Sequence, residues 1–393
     1  MKPFSLLLKP AGADCNIRCS HCFYRSRATL YPNTPQPRMA ADVLERTIRS
    51  YLATDQPVHL FSWQGGEPTL MGRDFFEQVT AVQVEHGGPG TVIANGLQTN
   101  GLRIDDSFAR HLARYRFLVG VSIDGPPELH DRYRRSRSGE GSAAGARAAV
   151  ERLRRQGAEV NAVTLVTRAN AGRAAEVYDY LKKEGFLFQQ YVPCVEFDGE
   201  GGLLPFSVGG DEWGEFLCAL FDEWIRGDVR KVSIRDFDSI VAAILGRSPS
   251  LCRMEKECRH YFVVEHNGDI YPCDFFVRRE LRIGNVMDMS WEEALRSPVY
   301  ERFGSRKSEW CEECARCEYL SLCAGDCPKH RGDPSRADGG KSVLCEGWKR
   351  FFRHALPTFR SLAKEVAEEE ASRAAGLSSG TAGTASKRQE VRS

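Results

Sequence analysis

The sequence predicts an α/β fold in which a parallel sheet is covered by helices, followed by a smaller cysteine-rich segment. Three observations predict it. Near-continuous apolar, strand-like runs alternate with helix-length segments through the first half of the chain. Polar and thiol residues cluster where those runs end. From about Leu251 regular elements shorten and cysteines become dense. Apolar runs without polar alternation belong to strands buried on both faces, and strands separated by helices pair in parallel.

The strand-like runs span 4–9, 58–63, 91–98, 117–123, 159–166 and 186–192. Helical patterns lie between them at 40–52, 73–85, 105–115, 143–156 and 173–184. In such a sheet the chemistry sits at the C-terminal ends of the strands. Cys15 to Cys22 follow the first strand, and Gln64-Gly65-Gly66-Glu67 the second. Gln98-Thr99-Asn100-Gly101 follow the third, and Ser122-Ile123-Asp124-Gly125 the fourth. In the second half, 261–265 and 269–272 flank a His266-Asn267-Gly268 turn, and Asn-Gly between short strands marks a hairpin. A last helix is predicted from Glu346 to about Glu370. The Ala/Ser/Gly/Thr-rich tail from Ala371 reads as disordered.

Composition bounds the function. With 393 residues the chain holds two domains or one large one, and 42% hydrophobic residues supply a core. A net charge of +1 gives no electrostatic reason to expect nucleic acid or an anionic membrane as partner. The chain runs directly into Phe4-Ser-Leu-Leu-Leu without a charged signal region, and no apolar run approaches the ~18 residues of a membrane span. The expectation is a soluble cytoplasmic enzyme. Fourteen cysteines at metal-ligand spacings, in a long chain without an export signal, read as metal ligands in a reducing compartment rather than as disulfides.

Cys15-Asn-Ile-Arg-Cys19-Ser-His-Cys22 places three thiolates within eight residues. A structural zinc site needs four ligands, and so does a closed 4Fe–4S cluster. Three thiolates on such a cluster leave one iron open for a substrate or cofactor. The spacing also admits a zinc site completed by His21 or a distant cysteine. Eight further cysteines follow: Cys252, Cys258 and Cys273 around the hairpin, then Cys314, Cys317, Cys323, Cys327 and Cys345. Eight thiolates make two sets of four, as for two fully ligated clusters or a pair of zinc ribbons. Of the remainder, Cys218 reads as core and Cys194 as a buried thiol, while Cys311 competes with Cys314 as a ligand.

Cys-x3-Cys-x2-Cys after the first strand, with Gly65-Gly66-Glu67-Pro68 after the second, resembles the radical S-adenosylmethionine (SAM) superfamily. The later cysteines resemble its SPASM extension. The phrases Ser5-Leu-Leu-Leu-Lys-Pro, Trp63-Gln-Gly-Gly-Glu-Pro-Thr-Leu70, Leu97-Gln-Thr-Asn-Gly101, Phe117-Leu-Val-Gly-Val-Ser-Ile-Asp-Gly125 and Ile270-Tyr-Pro-Cys-Asp-Phe275 look like the anaerobic sulfatase-maturating enzymes, over about residues 3 to 360. This resemblance implies a partial (β/α)6 TIM-like radical SAM barrel over 1–235, a C-terminal cysteine-rich SPASM domain over 236–370 and a disordered tail over 371–393.

It also implies SAM and three 4Fe–4S clusters as cofactors. The radical-generating cluster takes Cys15, Cys19 and Cys22. One auxiliary cluster takes Cys252, Cys258, Cys273 and Cys327, and the other Cys314, Cys317, Cys323 and Cys345. SAM contacts carry over to His21, Gly66, Glu67, Ser122, Arg134 and Val195. His21 stands where the family often has an aromatic residue. Arg suits the SAM carboxylate because it binds it bidentately. Gln64, Gln98 and Asn100 are candidates for holding the peptide backbone, or else strand-end caps.

Asp274, beside Cys273, matches the family's general base. The implied reaction oxidises a cysteine or serine of a sulfatase to Cα-formylglycine. A radical from SAM takes a hydrogen atom from Cβ, Asp274 takes the thiol or hydroxyl proton, and the second electron leaves through an auxiliary cluster. The implied partners are a sulfatase segment of the Cys/Ser-x-Pro-x-Arg type and an external electron donor such as flavodoxin or ferredoxin. A SPASM maturase forming thioether or carbon–carbon cross-links shares the cluster pattern. A non-catalytic zinc-binding protein is the alternative outside enzymes.

Overall fold

The structure, a computed structural model, describes residues 2–332 and 340–382. Seven parallel strands succeed one another across a sheet: β1 (Ser5–Lys9), β2 (His59–Trp63), β3 (Ile93–Thr99), β4 (Leu118–Ser122), β5 (Glu159–Val166), β6 (Phe188–Pro193) and β7 (Ser233–Ile234). The helices between them are α1 (Ala41–Leu52), α2 (Arg73–His86), α3 (Asp106–Arg114), α4 (Pro127–Tyr133), α5 (Ala143–Arg155), α6 (Ala174–Lys183) and α7 (Gly210–Ile225), and α8 (Arg235–Ile244) follows β7. The α/β class and the six long strands match the sequence reading. Leu6 and Leu8 on β1 and Phe61 and Trp63 on β2 are wholly buried, each worth roughly 1.5–3 kcal/mol of hydrophobic stabilisation. On α1, Val43, Leu44, Thr47, Ile48 and Tyr51 form the buried stripe at three- and four-residue spacing. Asp105 caps α3, its carboxylate accepting the Phe108 N–H at 2.7 Å.

The sheet does not close into a barrel. The free side of β1 is taken by β8 (Tyr261–Glu265), parallel and in register from Ser5 opposite Tyr261 to Lys9 opposite Glu265. The antiparallel strands β9 (Asp269–Tyr271) and β10 (Gly284–Asn285) then complete a ten-stranded sheet. The expected hairpin therefore extends the sheet that carries the first-half strands. Its turn is closed by the Gly268 N–H on the Glu265 carbonyl at 2.9 Å, with Gly268 at φ +86°, a conformation costly for other residues.

The C-terminal helix Cys345–Ala382 packs along α7. The two helices cross at Gly210, Gly214 and Gly347, where a Cβ on Gly347 would lie 2.2 Å from the Gly210 carbonyl oxygen. Trp213 and Trp348 meet edge to face beside the crossing. The helix runs past Glu370 to Ala382, into the segment expected to be disordered. The run Ala367-Glu-Glu-Glu-Ala-Ser-Arg-Ala-Ala375 has high intrinsic helix propensity, which outweighs the polar composition. The rest of the predicted tail, 383–393, lies outside the described residues.

Candidate active site and cluster sites

The loop after β1 carries Cys15, Cys19 and Cys22, and the Gly65-Gly66 turn after β2 clasps it. The Gly66 N–H donates to the Gly12 carbonyl at 2.7 Å, and the Glu67 N–H to the Asp14 carbonyl at 2.8 Å. A Cβ on Gly66 would fall 2.0 Å from the Asp14 oxygen, and Gly65 has φ +133°. The motif is glycine because two backbones meet there. The buried Glu67 carboxylate accepts from the Thr69 N–H (3.0 Å), the hydroxyls of Thr69 (2.6 Å) and Thr99 (2.7 Å), and the Asn100 N–H (2.8 Å). It pins the end of β2 to the end of β3. Four donors from the protein occupy it, so towards a cofactor this turn offers its main chain.

Of the other sequence-predicted contacts, His21 lies in this loop and Arg134 and Asn100 meet it, whereas Ser122 and Val195 pair with other residues. Arg134 is half-buried and bidentate on Asp124, at 2.6 and 3.1 Å, and the same guanidinium adjoins Cys19. The fork expected for a cofactor carboxylate thus holds an internal one. Asp124 also accepts the Leu165 N–H at 2.9 Å, and Arg134 keeps its carboxyl below the usual carboxylate range against the effect of burial. His21 is buried, meets Tyr133 edge to face, and leaves Nδ1 without a partner. Burial, reinforced by Arg134, lowers its pKa to about 3, so it is neutral. Ser122 accepts from Gln98 at 3.2 Å. Asn100 donates to Asn16 at 2.8 Å and lies 3.8 Å from the Cys15 sulfur. The Val195 carbonyl accepts from Lys329 at 2.8 Å. Gln98 and Asn100 are therefore engaged with β4 and the cysteine loop rather than free.

Asp274 occupies the junction between this loop and the hairpin. Its carboxylate accepts from the Tyr261 hydroxyl at 3.0 Å and faces the Lys9 ammonium at 3.9 Å. Tyr261 is also 3.1 Å from the Cys273 sulfur. Lys9 is buried at the end of β1, packed over the Tyr24 ring, and Tyr24 in turn donates to Glu265. Burial lowers the lysine's pKa, while Asp274, Glu265, Cys22 and Cys273 oppose the shift. Sequence reasoning missed Lys9, Tyr24, Tyr261 and Glu265. The available signal was a lysine closing an otherwise apolar strand.

The later cysteines gather in two cavities. Cys252, Cys258, Cys273 and Cys327 line one, with Tyr261 and Lys307. Cys314, Cys317, Cys323 and Cys345 line the other, with Trp348 and Phe352. Cys311 is in neither lining but hydrogen-bonds Cys314. Cys194 is buried, and Cys218 on α7 packs against the core. Burial pushes the Cys15, Cys258 and Cys323 thiols up to about 12 and Cys19 to about 11. Such thiols become ligands only as a metal displaces their protons. Four sulfurs around each of two cavities, and three on one loop beside a buried imidazole whose Nδ1 lacks a partner, form a donor set suited to iron–sulfur clusters and an open-sided SAM site.

Comparison with known proteins agrees. Residues 10–181 match the family model of the radical SAM superfamily, and residues 252–318 that of SPASM, an iron–sulfur cluster-binding domain. The fold and these two segments define a radical SAM enzyme carrying iron–sulfur clusters beyond its core. The serine-type anaerobic sulfatase-maturating enzyme of Bacteroides thetaiotaomicron is 36% identical, covering 94% of each chain. The cysteine-type enzyme of Clostridium perfringens is 34% identical, covering 93% of this chain and all of that one. A solved structure described as native anSMEcpe with bound AdoMet and Kp18Cys peptide superposes with a TM-score of 0.87 at 35% identity, covering 92% of this chain and 99% of that one. The chain belongs to the anaerobic sulfatase-maturating enzymes. Its likeness to Streptococcus suis SuiB, 15% identical with a TM-score of 0.62, is one of fold.

Proposed function

We propose that this enzyme oxidises a cysteine or serine in a sulfatase polypeptide to Cα-formylglycine, using SAM and three 4Fe–4S clusters. Family membership over nearly the whole chain is the observation that carries this reading. Abstraction of a hydrogen atom from the target side chain is the chemistry that SAM and its cluster supply when bound. Cys15, Cys19 and Cys22 would hold that cluster. The main chain at Gly66 and Glu67, with His21, Ser122, Arg134 and Val195, forms the SAM side. Arg134 acts there through Asp124, as an electrostatic neighbour of Cys19.

Asp274 removes the proton from the substrate thiol or hydroxyl. Tyr261 and Lys9 fix its carboxylate, and its 13% side-chain exposure leaves one face open towards a substrate. The two four-cysteine cavities would hold the auxiliary clusters, within a SPASM domain of about 236–370 that follows a radical SAM core of about 1–235. An external carrier such as flavodoxin or ferredoxin donates the electron that starts the cycle. Among the described residues no helix is long and apolar enough to cross a membrane.

Anaerobically reconstituted protein, incubated with SAM, dithionite and a Cys-x-Pro-x-Arg or Ser-x-Pro-x-Arg peptide, should give formylglycine by mass spectrometry. Deoxyadenosine formed without that product from either peptide would overturn the reading.

A further inference from the structure

Lys307 is wholly buried, yet among the described residues its ammonium has no carboxylate within ion-pairing distance. It donates instead to three main-chain carbonyls: Arg253 at 2.9 Å, Glu255, and Ala324 at 3.0 Å. The first two lie just after Cys252, and the third between Cys323 and Cys327. Arg331 extends the knot, donating to the Gly325 carbonyl at 3.0 Å and to the Lys307 carbonyl at 2.9 Å. The carboxylates nearby are committed elsewhere. Asp326 is held through Oδ2 by His330 at 2.9 Å and Ser342 at 2.7 Å, its Oδ1 makes no hydrogen bond, and it stays beyond ion-pairing distance of Lys307; Asp236 is held by Arg253.

A buried ammonium with neutral partners alone is costly, because carbonyl dipoles replace only part of its hydration. Asp326 acts on it only at a distance, and what it lacks is an anion in direct contact. The side chain lines the cavity shared by Cys252, Cys258, Cys273 and Cys327, where a thiolate-ligated cluster would supply that charge.

We propose that Lys307 is a tuning residue for the cluster at Cys252, Cys258, Cys273 and Cys327, its fixed positive charge raising that cluster's reduction potential. Reduction adds one electron and no proton, so the cluster gains one negative charge. A fixed cation nearby in a low-dielectric site stabilises the reduced form more than the oxidised form. The carbonyl knot keeps the charge in place and joins the two loops that carry Cys252 and Cys327. This inference rests on the assignment of those four cysteines to one cluster.

The test is a redox titration of the fully reconstituted holoenzyme, followed by electron paramagnetic resonance, for Lys307→Gln and Lys307→Arg. Lys307→Gln should shift the oxidised-to-reduced ratio of one cluster at least tenfold towards oxidised at fixed solution potential, about 59 mV for a one-electron couple. Lys307→Arg should stay within threefold of the parent. Iron lost from Lys307→Gln but kept in Lys307→Arg also supports a requirement for charge. Unchanged potentials in both variants, equal shifts in both, or equal iron loss from both would overturn the proposal. Cys258→Ala, which should lose about four irons whatever residue stands at 307, tests the underlying cluster assignment separately.

Discussion

Asp274 stands 3.9 Å from Lys9, and both belong to one network that spans the cysteine loop and the hairpin. The lysine is sealed from solvent, so its charge is little screened where Asp274 must act. Lys9→Met keeps the shape of the side chain and removes the charge. Formylglycine formation should fall about tenfold or more, while iron content and deoxyadenosine formation stay near those of the parent. Product quantified by mass spectrometry against deoxyadenosine in the same reaction reads this, and undiminished product would show that the pair does not position Asp274.

Asp274→Asn retains the hydrogen bond from Tyr261 and abolishes basicity. General-base catalysis contributes about 10²- to 10⁴-fold. Formylglycine should drop by at least the lower figure with SAM cleavage retained. Parent-level product from this variant would remove Asp274 from its role.

Gly66→Ala would place a methyl group 2.0 Å from the Asp14 oxygen. Backbone must move, at about 1–3 kcal/mol, and what moves is the loop bearing Cys15. Reconstituted Gly66→Ala should lose about four of roughly twelve irons together with SAM cleavage. Full iron with normal cleavage would show that the clasp is dispensable.

His21 couples folding to pH. Its pKa falls from 6.5 unfolded to about 3 folded, by burial first and Arg134 second. Between those values the unfolded chain binds a proton that the folded chain excludes. Stability is therefore complete above about pH 6.5 and is lost as pH falls, by up to about 1.4 kcal/mol per unit. His130, lowered to about 4 by burial, acts in the same direction. In His21→Phe the loss in urea midpoint of metal-free protein between pH 7 and pH 5 should be smaller than in the parent. An identical loss in both would place the protonation elsewhere.

Much of the fold could be read from local pattern. Residues 159–166 are a near-continuous apolar run, rich in Val, Leu and Thr, and form β5; the Asn267-Gly268 turn sits where its dipeptide predicts. The union of β1 with β8 could not be read, because no periodicity within 4–9 encodes a partner so distant in sequence. The same limit applies to the site. The cysteines announce themselves by spacing. Lys9 reads as a strand-end charge until Glu265 and Asp274 arrive from the hairpin to bury it. Arg134 reads as a fork for the SAM carboxylate until tertiary structure brings it to Asp124. Lys307 lies beside Arg306 in the sequence with no spacing signal, and only the fold buries it.

The pairing of β1 with β8 also makes folding of that edge wait on synthesis. Ser5 hydrogen-bonds His260, a partner 255 residues further along the chain. At about 5–20 residues per second, on the order of ten seconds to a minute passes before a ribosome delivers it. Throughout that interval one edge of an apolar strand carries unpaired amides, the template on which chains aggregate. The nascent N-terminal half thus waits, open on one side, for the part of the chain that brings Cys258 and Cys273. Fragments ending before Tyr261 should be the aggregation-prone ones.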